Sequence, residues 1–193
     1  QVQRADYVKG KHQDFVWVES MLQDKHHNLW FGSRSHGLKR LRKPPTQRFS
    51  KAQGIPDPYV WALEAWQQHV LVGTSAGLSL LQYGKFQSLS ANQYLPNPFV
   101  YSLLADGDAL WVGTRAGLSR LDRQTLAWQR NYDNISHLLV TTMARQGERL
   151  WVGTNGGLYY LQHDELRQDV LPAQLQTAKV RIGVLIGTHF FGQ

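Results

Sequence analysis

Histidine and glutamate are the side chains that would do acid–base or metal chemistry in this 193-residue chain, and their spacing supports neither. The adjacent pair His26-His27 points its rings to opposite faces of an extended backbone, so the two do not converge on one ion. We read them as a solvated turn. His12, His36, His69, His137, His163 and His189 are dispersed, with no His-x-His or His-x-x-x-His interval. Glutamate is scarce: Glu19, Glu64, Glu148 and Glu165. Glu64 and His69 are close in sequence but flank an expected turn, which is poor support for a shared site. No Gly-x-Ser-x-Gly elbow, phosphate loop or calcium loop occurs. The chain is expected to be non-catalytic, with no metal and no cofactor.

Composition narrows the partners. There is no cysteine, which removes disulfides and thiolate metal sites and suits periplasm and cytoplasm alike. No stretch approaches the roughly 20 apolar residues that a membrane helix needs. Gln1 opens the sequence without a methionine or a signal peptide, which we read as a processed or trimmed end. The net charge of +7 is densest at Lys39, Arg40, Arg42, Lys43, Arg48 and Lys51. With Lys39 to Arg42 on one strand and Arg48 and Lys51 on the next, this run reads as an outer edge charged against edge-to-edge pairing. A nucleic-acid groove would interleave aromatic residues, and residues 38–51 hold Phe49 alone, so nucleic acid is not an expected partner.

The elements that must position any site repeat. Leu29-Trp30-Phe31-Gly32-Ser33, Val70-Leu71-Val72-Gly73-Thr74, Leu110-Trp111-Val112-Gly113-Thr114 and Leu150-Trp151-Val152-Gly153-Thr154 place their glycines 41, 40 and 40 residues apart. In the clearest unit Val100 to Leu104 reads as a first strand, followed by the turn Asp106-Gly107-Asp108. Leu110 to Thr114 is a second strand, apolar on both faces and therefore covered on both. Gly117 closes a short turn that needs a positive φ. Leu118 to Leu121 alternates as a third strand, and Thr125 to Asn131 is a polar fourth. Four antiparallel strands per forty residues make the blade of an all-β propeller. First strands are expected from Val16, Val60, Val100, Val140 and Val180.

The grid predicts one propeller domain over residues 1–193, with blades near 16–59, 60–99, 100–139 and 140–179 and partial blades at 1–15 and 180–193. Val2 to Tyr7 matches only a fourth strand, and His189 to Gln193 matches the second-strand phrase. We read the chain as a piece of a larger ring. A five-bladed ring closed by Val2 to Tyr7, with one strand missing, is the alternative. Open edges in the first case predict self-association that rises with ionic strength.

Residues 95–122, Leu-Pro-Asn-Pro-Phe-Val-Tyr-Ser-Leu-Leu-Ala-Asp-Gly-Asp-Ala-Leu-Trp-Val-Gly-Thr-Arg-Ala-Gly-Leu-Ser-Arg-Leu-Asp, resemble the two-component regulator propeller repeat. Ile55-Pro56-Asp57 and Asn155-Gly156-Gly157-Leu158-Tyr159 extend the match, and the resemblance covers almost the whole chain. It implies a periplasmic sensor region of a histidine kinase or diguanylate cyclase receptor, whose output domain and membrane helix lie outside this sequence. It also implies an unidentified small-molecule or glycan ligand, dimerisation of receptor chains, and membrane contact only through parts not present here. A carbohydrate-binding or protein-interaction scaffold is the alternative. A metal-dependent lyase, similar to the propeller lyases that act on streptogramins, would need a histidine and a glutamate converging on one face.

Trp30, Trp111 and Trp151 hold one position in each unit and are expected to pack between blades. Trp17, Trp61, Trp66 and Trp128 break the repeat and are better ligand candidates. The loops before the first strands and the turns between second and third strands vary while the frame does not, and loops carry function on a repetitive scaffold. In this register they gather Arg34, His36, Asp57, Tyr59, Asn97, Phe99, Arg115 and Asn155 on one face, the expected ligand-binding set.

Overall fold

The computed structural model describes residues 17–41 and 47–169. These form four antiparallel sheets, each of four strands paired in chain order. The first comprises β1 (Val18–Gln23), β2 (Leu29–Ser33), β3 (Leu38–Leu41) and β4 (Gln47–Phe49). The second comprises β5 (Val60–Trp66), β6 (His69–Thr74), β7 (Gly77–Gln82) and β8 (Lys85–Ser88). The third is β9 (Val100–Asp106), β10 (Ala109–Thr114), β11 (Gly117–Asp122) and β12 (Trp128–Tyr132). The fourth is β13 (Val140–Gln146), β14 (Arg149–Thr154), β15 (Gly157–Gln162) and β16 (Glu165–Gln168). β1, β5, β9 and β13 pack on one another in succession, so the first strands are innermost and β4, β8, β12 and β16 are the outer edges. The four sheets are propeller blades in an open arc.

Each core layer lies between two blades. Trp30, Leu38 and Phe49 meet Val70, Val72 and Leu81 of the second blade. Leu71 and Leu78 meet Leu110, Val112 and Leu121 of the third, and Trp111, Leu118 and Tyr132 meet Leu150, Val152 and Leu161 of the fourth. Trp151 is only half-buried, with no further described blade against it. The tryptophans also carry a cross-strand cation: Trp30 pairs with Arg40 and Trp111 with Arg120, each guanidinium lying over the indole. Where Leu71 replaces tryptophan, its cross-strand partner is Leu80.

The repeated glycine answers a close approach. A Cβ on Gly73 would lie 2.7 Å from Val100 Cγ1, and one on Gly113 would lie 2.6 Å from Val140 Cγ1. Gly32 faces Val60 in the same way. The second strand of each of these blades thus touches the first strand of the next, and a side chain there would hold the blades apart.

Three expectations shift. Strand pairing sets Val18 opposite Ser33 as it sets Val60 opposite Thr74, so Val18, not Val16, holds the first-strand position. One extra residue of this blade lies in the loop Asp24 to Asn28, longer than its counterpart Trp66 to His69, and another in the turn Ser33 to Gly37, longer than Thr74 to Gly77. The fourth strand of the third blade begins at Trp128 rather than Thr125. The Asp122 carboxylate accepts from Gln124 N, Thr125 N and Thr125 Oγ1, which bends that stretch into a turn. Lys51 opens a 3₁₀ turn, Lys51–Gln53, instead of lying on a strand, because Ser50 and Gln53 cap one another. Val2 to Tyr7, His12, Val16, Arg42, Lys43 and Val180 to Gln193 lie outside the described residues.

Candidate functional site

One end of the arc is built from the loops before the first strands and the turns between second and third strands. Four equivalent bonds tie them: Arg34 N to Trp17 O, Ser75 N to Tyr59 O, Arg115 N to Phe99 O and Asn155 N to Leu139 O. Each bond ties the turn of a blade to the entry loop of the same blade, while Gly37 N to Pro58 O and Gly117 N to Leu138 O join the turns of the first and third blades to the loop entering the next.

The side chains on this end form a continuous ladder across three blades. The Arg34 guanidinium lies 5.6 Å from the ring centre of Trp17 and 5.6 Å from that of Trp61. Its Nε donates to Glu19 Oε1 at 2.7 Å. Trp61 stacks with Tyr59 at 6.3 Å and meets Tyr101 at 4.9 Å. Tyr101 stacks with Phe99 at 6.4 Å, and the Arg115 guanidinium stands 5.6 Å over Phe99. Trp61 is oriented by its Nε1–H, which donates to Ser75 Oγ. The ladder faces solvent, with Trp17 62% and Tyr59 41% exposed. Aromatic faces capped by guanidinium groups offer stacking together with positive charge, a surface suited to flat or amphipathic ligands.

The structure divides the eight expected residues. Arg34, Tyr59, Phe99 and Arg115 join the ladder. Asp57 and Asn97 are turn formers whose side chains accept from Tyr59 N and Phe99 N. Asn155 likewise accepts from Leu139 N. His36 sits in the turn of the first blade, its ring beside Ser35 Oγ. Trp61 and Tyr101, the centre of the ladder, were not in that set. Their signal in the sequence is an aromatic residue after the first-strand valine at a period of 40, where the other described blades have Glu19 and Thr141.

Other titratable groups are committed elsewhere. Burial between the second and third blades pushes the Glu64 carboxyl up, against hydrogen bonds from Ala105 N and Ala65 N and the charge of Arg123. His69 instead meets Gln82 Nε2 and the Tyr83 ring. A cleft of about 620 Å³ lies between the first two blades at the opposite end, lined in part by Asp24, Trp30, Arg40 and His69. Burial of Asp24 there is outweighed by hydrogen bonds from Asn28, Trp30 and His26 N, which hold its carboxyl below the usual range. Among the described residues no three metal-ligating side chains cluster, and no helix is long and apolar enough to cross a membrane.

No family model and no curated protein matches the sequence. Solved structures do. The extracellular domain of a candidate one-component system from B. thetaiotaomicron is 25% identical, with a TM-score of 0.69 over 87% of this chain and 24% of that one. The extracellular domain of a candidate hybrid two-component system from the same organism is 21% identical, with a TM-score of 0.67 over 81% and 25%. A catalytically inactive virginiamycin B lyase from Staphylococcus aureus, solved with quinupristin, is 13% identical, with a TM-score of 0.65 over 89% and 60%. The second and third likenesses are likenesses of fold. The chain spans about a quarter of the length of the two B. thetaiotaomicron domains. In repeat and in fold, this chain is a β-propeller array similar to the extracellular domains of one- and two-component systems.

Proposed function

We propose that the chain is the sensing propeller of a periplasmic two-component-type receptor, and that it takes its ligand on the ladder from Trp17 to Arg115. The observation that carries this is the ladder itself. Seven aromatic and arginine side chains from three blades converge on one end, whereas Trp30, Phe49, Trp111 and Tyr132 are buried between blades. The ligand is a small molecule or glycan with a flat or apolar face, and the domain binds it without turnover. Its output, a kinase or cyclase, belongs to the receptor outside this sequence. The likeness to extracellular domains of one- and two-component systems supports the sensor role.

The lyase alternative gains nothing specific here, since Glu64 and His69 hold different partners. Trp61→Ala removes the central ring while Val60 and Ala62, which seat the strand, are kept. The variant should lose binding to a small-molecule and glycan array at least tenfold while keeping its melting temperature within a few degrees. Unchanged binding by Trp61→Ala would remove the ladder as the site.

A further inference from the structure

The four equivalent turn positions of the ligand end differ in what occupies their side chains. Arg34 is paired with Glu19. Ser75 accepts from the Trp61 indole, and Asn155 accepts from Leu139 N. Arg115 alone of the four has no side-chain hydrogen bond or ion pair among the described residues, and its guanidinium is exposed over the Phe99 ring. The backbone beneath it is fixed, with Arg115 N bonded to Phe99 O at 2.9 Å and Phe99 N to Asn97 Oδ1 at 2.9 Å. A cation resting over the last of a row of rings, with no ion-pair partner among the described residues, is open to an anion.

Resting on the reading of the ladder as the ligand site, we propose that its ligand carries a carboxylate or comparable anion beside its flat face, and that Arg115 is the residue that selects for it. The flat face lies along Tyr101 and Phe99, and the anion lands on the guanidinium. Arg34 does not substitute, because Glu19 already neutralises it. A neutral ligand of the same shape keeps the stacking and forgoes the charged contact.

A matched probe pair tests this: p-nitrophenyl β-glucuronide and p-nitrophenyl β-glucoside share an aromatic ring and a sugar and differ by one carboxylate. Calorimetric titration should show the glucuronide bound at least tenfold more tightly at low salt, with the margin shrinking as ionic strength rises. Arg115→Gln should abolish the margin, bringing the glucuronide to the affinity the same variant has for the glucoside, while Trp61→Ala weakens both probes. Equal affinity of the two probes, or a preference that survives Arg115→Gln, overturns the proposal and leaves the ladder reading standing. Binding untouched by Trp61→Ala refutes the ladder reading instead. Absence of binding by the glucuronide also overturns the anion proposal.

Discussion

Gly73→Ala is the substitution through which blade stacking is most directly probed. The added Cβ would stand 2.7 Å from Val100 Cγ1 and 3.2 Å from both Val100 Cβ and Ala62 Cβ. Ordinary carbon contacts are about 3.5–4.0 Å, so the two blades must part by close to an ångström or Val100 must turn. Neither is easy: Val100 is fully buried and its branched side chain is stiff about χ1. Overpacking of this kind costs about 1–3 kcal/mol, and reduced freedom of the unfolded chain returns about half a kcal/mol or more. The expected net loss is about 1–2 kcal/mol, read as a lower urea midpoint at unchanged m-value. Val100→Ala removes the clashing methyl, so the double variant should be less destabilised than the sum of the singles, by about 0.5 kcal/mol or more. Strict additivity, or an unchanged midpoint for Gly73→Ala, would refute the close approach as the reason for the repeated glycine.

Gly117 has φ of +117° and would bring a Cβ to 3.1 Å from Ser136 Cα. Gly117→Val should therefore lose more than about 1 kcal/mol, and equal melting temperatures would count against the turn. Trp111→Ala should cost about 3–5 kcal/mol in thermal unfolding, since the indole is 4% exposed between the third and fourth blades. The Glu64 carboxyl titrates in the folded chain above its ordinary value of 4.5, so the folded state holds that proton more tightly than the unfolded one. Its contribution is complete below pH 4.5 and is lost as pH rises through the raised value. Relative to the parent, Glu64→Gln should then gain stability between pH 4 and pH 7. A pH-independent difference in chemical-denaturation midpoints would contradict that assignment.

The frame was legible because its physics is local and repeated. The strand phrase with its glycine and closing turn recurs at a fixed period, and one blade cannot bury its faces without the next. Leu71 stands fully buried where the other blades have tryptophan. Its companion change at Leu80 became visible only when strand pairing set the two opposite one another. The start of the first strand slipped from Val16 to Val18 because a loop insertion and a strand shift look alike in sequence spacing. At the end that carries the ladder, Asp57, Asn97 and Asn155 carried the polar variety expected of binding residues. Their side chains accept from the backbone of the loops they shape, a use that composition does not distinguish from recognition. The Trp61–Tyr101 contact joins two strands 40 residues apart, and only the packing of neighbouring blades brings it about.

The central claim is that ligand meets this protein on the aromatic end of the blades, and fluorine NMR of protein labelled with 5-fluorotryptophan tests it most directly. The seven tryptophans give seven reporters, assigned by single substitution to phenylalanine. Trp17 and Trp61 lie on the ladder, whereas Trp30 and Trp111 are buried between blades. Titration with p-nitrophenyl β-glucuronide should shift the Trp61 and Trp17 resonances saturably and leave Trp30 and Trp111 in place. Saturable shifts confined to Trp30, which lines the cleft at the opposite end, would contradict the account and move the site there.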